Sequence, residues 1–252
     1  LGIADGVGGW SEVGVDPSQF AWELMNKCQI NCQNMGIVNE LEPLSILDNS
    51  YKQLKNERKV KAGSSTACLA VIDSETSILS SINLGDSGYV VIRNGKSVYQ
   101  AKETTHYFNA PYQLSIIPPE LNKGNHILNQ PKDGLLAKIQ LEHGDLIVFG
   151  TDGLFDNLFL NDIEMEIKVN EPDNLNQLLL ASKKNQDLLK GYTNKVAGSL
   201  VKKARLRAKD KNKDSPFSKE AEKHGYRFKG GKMDDITVVV ALVTKKSKLA
   251  QL

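Results

Sequence analysis

Apolar and polar positions change period several times along the chain, and each change predicts an element. Residues 1–4 are a short apolar stretch cut off by Asp5-Gly6-Val7-Gly8-Gly9-Trp10, which reads as a strand emptying into a glycine-rich loop. Asp16-Pro17-Ser18-Gln19 opens a helix, with Asp at the N-cap, Pro at the first helical position and Gln three after the cap. Phe20, Leu24 and Cys28, with Ala21, Met25 and Cys32, recur at helical spacing as its expected buried face. A second helix is expected from Pro43, carrying Leu44, Leu47, Tyr51 and Leu54 on one stripe. Residues 66–73, 77–84 and 88–93 then read as strands, and Asn94-Gly95 predicts a type I′ hairpin turn. After a loop over 104–133, residues 135–141 and 146–149 look like strands joined through Glu142-His143-Gly144-Asp145. Helices are expected over 160–169, 175–189 and 193–209, a mobile loop over 210–232, and a buried strand over 236–243. With no repeat and no dividing linker, residues 1–252 read as a single α+β domain of antiparallel sheets covered by helices.

Composition narrows the class. A net charge of +2 gives no electrostatic case for nucleic acid as the main partner. No apolar run approaches the roughly 20 residues of a membrane span. Three cysteines exclude a disulfide-dense secreted scaffold and fit a reducing, intracellular setting. Leu1 is not an initiator Met, so the chain reads as a fragment, and any targeting segment is expected upstream of it.

The chemistry concentrates at strand ends. Asp5-Gly6, Asp152-Gly153 and the pair Asp234-Asp235 each sit where an apolar strand stops or starts. Asp-Gly is common turn chemistry, but three such positions in one strand-end context suit hard oxygen ligation of Mg²⁺ or Mn²⁺.

Five segments occur in order: Ala4-Asp5-Gly6-Val7-Gly8-Gly9, Gly63-Ser64-Ser65-Thr66, Asn83-Leu84-Gly85-Asp86-Ser87-Gly88, Gly150-Thr151-Asp152-Gly153-Leu154-Phe155-Asp156 and Asp234-Asp235-Ile236-Thr237-Val238-Val239. Together they resemble the successive motifs of the metal-dependent type-2C serine/threonine protein phosphatases. Asp5-Gly6-Val7-Gly8-Gly9-Trp10 and the run from His106 to Leu114 resemble the mitochondrial branch related to T-cell-activation protein phosphatase. The resemblance implies an αββα sandwich with two Mg²⁺ or Mn²⁺ ions per site, phosphoprotein substrates and a mitochondrial matrix location. It implies that Asp5 bridges the ions, Gly6 supplies a backbone carbonyl, and Asp152 and Asp234 hold the first ion. Asp86 matches the position of a weaker third ion. Asp235 stands where many relatives have Asn and is the lesser ligand of its pair, Asp156 is expected to hydrogen-bond its own turn, and Gly63-Ser64-Ser65-Thr66 is expected to be structural. The implied reaction is in-line attack by a hydroxide generated between the ions, with no phosphoenzyme.

Two departures stand out. Val7 occupies the place of a His that in many members protonates the leaving alkoxide, with His106 a conceivable substitute. The family's acidic ligand on the strand before the first motif would lie upstream of Leu1.

Competing chemistries fail on order and spacing. Gly85-Asp86-Ser87-Gly88 echoes a trypsin-like nucleophile, but all four histidines follow Ser87, and Tyr89 breaks a nucleophile elbow. Cys28, Cys32 and Cys68 lack the nearby Arg of a cysteine-dependent phosphatase; Cys28 and Cys32 are expected to be core thiols. Segment 202–213 carries seven Lys or Arg and is either a solvated helix face or a steering surface for acidic substrates. The remaining alternative is a phosphatase-fold scaffold without turnover, which Val7 favours. Three strand-end carboxylates would repel one another without cations, which favours the enzyme.

Overall fold

The computed structural model describes residues 1–34, 42–121, 124 and 127–245. These fall into two compact units interleaved in sequence. Unit 1 comprises Leu1–Asp73, Ile78–Gly88 and Ala101–Ile139; unit 2 comprises Ser74–Ser77, Tyr89–Gln100 and the chain from Gln140.

Unit 1 is built on the sheet β1-β3-β4-β10, formed by β1 (Gly2–Ile3), β3 (Ala67–Ile72), β4 (Ile78–Leu84) and β10 (Leu135–Gln140). β3 runs antiparallel to both β1 and β4, with Ile3 opposite Cys68 and Ala67 opposite Leu84. Helices α1 (Pro17–Asn34) and α2 (Pro43–Glu57) supply the other side of its core, where Phe20, Leu24, Leu47, Tyr51 and Leu54 meet Leu69, Ile82 and Leu84. The Asp16 cap forms as expected, its Oδ1 accepting from the Ser18 amide at 3.0 Å.

One prediction on this face is corrected. Cys32 is exposed and Asn31 is buried instead, donating from Nδ2 to Ser50 Oγ at 2.8 Å. At 3.6 residues per turn a stripe through 20, 24 and 28 drifts back to 31. The stretch 104–133 is also more than a loop. It contains β7 (Thr105–Tyr107), which pairs with β8 (Ala110–Pro111), and β9 (Leu114–Ile116), which pairs with β2 (Gly63–Ser65). Residues 122–123 and 125–126 of that stretch lie outside the described residues.

Unit 2 carries the sheet β12-β11-β5-β6, from β5 (Gly88–Arg93), β6 (Lys96–Gln100), β11 (Leu146–Gly150) and β12 (Val238–Leu242). β5 and β6 are joined through Asn94 (φ 50°) and Gly95 (φ 74°), the paired positive φ values of the predicted type I′ turn. β12 runs antiparallel to β11 and is half-buried throughout, a correction to the buried strand expected over 236–243. Helices α3 (Asp152–Phe155), α4 (Leu160–Asn170) and α6 (Gln186–Lys209) complete the core with Leu154, Ile163, Ile167, Val196 and Leu200. The helix expected over 175–189 breaks after α5 (Leu175–Leu180), and α6 starts afresh at Gln186. The expected mobile loop over 210–232 contains α7 (Pro216–Lys223). Ser215 and Ser218 cap it reciprocally, at 3.0 and 2.9 Å, with Pro216 at the first helical position. The architecture is α+β with antiparallel sheets flanked by helices, as the sequence led us to expect.

Candidate active site

In unit 2 the β11 strand ends at Gly150, and Thr151 turns the chain directly into α3. The turn is locked to the entry of β12. Thr151 Oγ1 donates to the Asp235 carbonyl at 3.3 Å and accepts from the Thr237 amide at 3.1 Å. Gly153 lies under the same backbone: a Cβ there would sit 2.1 Å from the Asp235 carbonyl oxygen, so only glycine fits. Asp152 and Asp234 are thereby brought side by side.

Their meeting point is a lysine that sequence reasoning did not single out. Lys232 Nζ lies 2.6 Å from Asp152 Oδ2, 2.8 Å from Asp156 Oδ2 and 3.0 Å from Asp234 Oδ2. Asp156 thus uses its backbone amide for the turn, bonding Asp152 O at 2.7 Å, while its carboxylate serves the cluster. Burial alone would favour the neutral amine, but Asp156 and Asp152 outweigh it and hold Lys232 well above the ordinary lysine range. Burial and the charge of Asp152 push the Asp234 carboxyl up, against the pull of Lys232.

The Lys232 backbone is fixed from two sides. Asn157, fully buried, donates to the Lys232 carbonyl at 2.9 Å and to Gly153 O at 3.0 Å, and accepts from the Lys232 amide at 3.0 Å. Gly230 and Gly231 run against the last turn of α6, where a Cβ would come within 2.4 Å of Asp210 O and 2.1 Å of Arg207 O respectively. The Gly230 carbonyl accepts from Ser215 Oγ at 2.8 Å, which ties α7 to the same segment. Gly230-Gly231-Lys232 just before Asp234-Asp235 was the available signal, because paired glycines mark a close backbone approach.

Unit 1 holds the other expected ligands. Asp5 and Thr66 exchange two hydrogen bonds, Asp5 N to Thr66 Oγ1 at 3.0 Å and Thr66 N to Asp5 O at 2.9 Å. Thr66 Oγ1 also lies 2.8 Å from Ser87 Oγ, so one buried hydroxyl joins the backbone of Asp5 to the residue after Asp86. Gly6 pairs with Ser65 in an isolated bridge, and a Cβ on it would stand 2.1 Å from Pro17 O. The buried Ser64, Ser65 and Thr66 therefore play the structural role expected of them. Val7 contributes its amide to Ser64 O at 3.0 Å. His106 is engaged elsewhere, with Nε2 3.0 Å from Asn129 Oδ1 and its ring stacked on Tyr112 at 4.3 Å.

Of the basic segment, Lys203 pairs with Glu166 at 2.9 Å and Arg207 stands 4.0 Å from Asp162, both on α4. Those two charges tie α6 to α4.

The chain matches the family described as stage II sporulation protein E (SpoIIE) over residues 21–214. It is 39% identical over 245 residues to the "Protein phosphatase PTC7 homolog" of Danio rerio, covering 97% of this chain and 77% of that protein. The chain belongs to the PTC7-type PPM protein phosphatases. It is a metal-dependent protein serine/threonine phosphatase. Among solved structures, the photosystem II phosphatase PBCP superposes with a TM-score of 0.77 at 30% identity, covering 97% of this chain and 87% of that one. The catalytic domain of the phosphatase PstP, solved with two manganese ions, shares the fold at 16% identity, with a TM-score of 0.51 and coverage of 97% and 87%.

The unit 2 cluster offers carboxylate oxygens of the kind a divalent ion takes. Asp152 Oδ1 is buried with no hydrogen-bond partner, and a buried carboxylate oxygen calls for a cation or a donor. Among the described residues no three His, Cys, Asp or Glu side chains close into a metal-binding group by themselves. In this cluster the point of convergence is taken by the Lys232 ammonium.

Proposed function

We propose that residues 1–252 form the catalytic domain of a mitochondrial phosphatase acting on phosphoserine and phosphothreonine in proteins, with two Mg²⁺ or Mn²⁺ ions per site. Asp152, Asp234, Asp5 and the Gly6 carbonyl are the proposed ligands, with Asp86 offered to a weaker third ion. The orphaned Asp152 Oδ1 inside a carboxylate cluster is the observation that carries this reading. Manganese in the PstP structure supports the choice of ion. When bound, such ions lower the pKa of water and neutralise charge building on phosphoryl oxygens.

The chain's own residues prepare the site. Thr151 and Asn157 fix Asp152 against the Asp234 segment, so the carboxylates are positioned before any ligand arrives. Thr66 does the same for Asp5. Val7 has no proton to give, and the Nε2 of His106 is engaged by Asn129 Oδ1 at 3.0 Å.

The test is phosphate release from a phosphothreonine peptide with Mn²⁺, with Mg²⁺ and with EDTA, with Asp152→Asn in parallel. Turnover should appear with a divalent ion and fall by about 10³-fold or more in EDTA and in the variant. A folded, metal-loaded protein that releases no phosphate would overturn the enzyme reading and leave a phosphoprotein-binding scaffold, which the apolar Val7 favours. Co-localisation of the tagged full-length protein with a matrix marker tests the compartment.

A further inference from the structure

Three carboxyl groups and one ammonium share the unit 2 cluster, so its acidic side chains outnumber its cation by two, the charge of one divalent ion. Without Lys232, Asp152, Asp156 and Asp234 would face one another as like charges and splay apart. The lysine is held unevenly. Its backbone is clamped by Asn157 and seated by Gly230 and Gly231, whereas its charge sits at the end of four methylenes with several rotamers. The ammonium can therefore swing while its backbone stays put. Asp156, outside the proposed ligand set, already holds it at 2.8 Å, and Phe217 presents its ring 5.1 Å away as a further face for a cation.

We propose that Lys232 is an exchangeable internal cation: it keeps Asp152 and Asp234 assembled before an ion enters, and it yields both carboxylates, keeping Asp156, when the ion arrives. This rests on the metal-binding reading above. On this basis Lys232 is a positioning residue that sets how tightly the site takes its ion, because every ion must displace it.

Calorimetric titration of Mn²⁺ into the protein and into Lys232→Met and Lys232→Arg tests this, alongside thermal melts in EDTA. Lys232→Met should bind Mn²⁺ about tenfold tighter or more, since the competing charge is gone. Its melting temperature in EDTA should fall, since the carboxylates lose their cation. Lys232→Arg keeps the charge and should stay near the unmodified protein in both measurements. Independently, acylation of Lys232 in the unmodified protein, read by mass spectrometry, should run several-fold faster in Mn²⁺ than in EDTA. Unchanged or weaker Mn²⁺ binding by Lys232→Met, or acylation that Mn²⁺ leaves unchanged or slows, would overturn the inference. Should Lys232→Met fail to fold, the acylation result decides alone. If the unmodified protein binds no Mn²⁺, the metal reading falls and takes this inference with it; if it binds Mn²⁺ with Lys232 acylation unmoved, only this inference falls.

Discussion

Replacing Gly153 by Ala should disable the site through one methyl group. The added Cβ would stand 2.1 Å from the Asp235 carbonyl oxygen and 2.9 Å from its carbon, with Ile236 Cγ1 at 3.1 Å behind them. An ordinary carbon–oxygen contact is about 3.3 Å, so the backbone entering β12 must retreat by about 1 Å. The retreat pulls on both Thr151 hydrogen bonds, at 3.3 and 3.1 Å. Overpacking of this kind costs about 1–3 kcal/mol, and each weakened hydrogen bond up to about 1 kcal/mol more. A loss of 2–4 kcal/mol in total lowers the melting temperature by about 5–15 °C in a chain of this size. The same 1 Å carries Asp234 away from Asp152, and a misplacement of that size costs about 100-fold in rate. The assays are thermal denaturation and kcat/KM for a phosphothreonine peptide at saturating Mn²⁺. Gly191→Ala and Gly198→Ala are the controls: both glycines lie within α6 with open space around the added methyl, so each should gain about 0.5–1 kcal/mol. If Gly153→Ala melts within about 2 °C of the parent and keeps activity within about threefold, the close-approach reasoning is wrong.

Cysteine reactivity should separate cleanly. Burial pushes the Cys28 thiol up to about 11 and the Cys68 thiol higher still, while Cys32 is exposed, so only Cys32 should react with an aryl disulfide near pH 8 until the protein unfolds; rapid loss of a second thiol from the native protein would contradict this. Glu164 is held below the usual glutamate range by its hydrogen bond to Lys96 at 2.8 Å and by the Ser97 amide at 2.9 Å. A depressed carboxylate stabilises the fold above its unfolded pKa and loses that contribution as pH falls through the folded value. The stability gap between the parent and Glu164→Gln should therefore shrink as denaturation is repeated from about pH 7 down to about pH 3, and a gap that stays constant would count against the pairing.

What was legible in the sequence depended on how local each signal is. The Asp16-Pro17 cap and the Asn94-Gly95 turn are set by neighbouring residues alone, and both appear where expected. Asp152 and Asp234 stood out because each ends or precedes an apolar run, and the structure places both in one cluster. Lys232 did not, since a lysine in a polar stretch reads as solvated; only the fold sets it within 3 Å of carboxylates 76 and 80 positions away. Helix α7 escapes the sequence pattern although Ser215-Pro216 and Ser218 spell its cap. Its buried face amounts to Phe217, Ser218 and Ala221, too few apolar positions to establish a period. Strand β9 is three residues long and owes its existence to Gly63–Ser65, some 50 positions earlier.

The interleaving of the two units bears on how the protein is made at the ribosome. Unit 1 is complete in sequence once Ile139 has been synthesised, so its core can close while the rest is still being translated. Unit 2 waits much longer. Strand β11 remains without its β12 neighbour until Val238–Leu242 emerges, almost 100 residues later, and Lys232 and Asp234 arrive shortly before it. A nascent chain stalled before this point carries an unpaired strand edge and an Asp152 with neither Lys232 nor Asp234 beside it. Translation order thus keeps this half of the site from assembling until nearly the last described residues are made, and it makes truncated chains candidates for aggregation rather than for unregulated phosphatase activity.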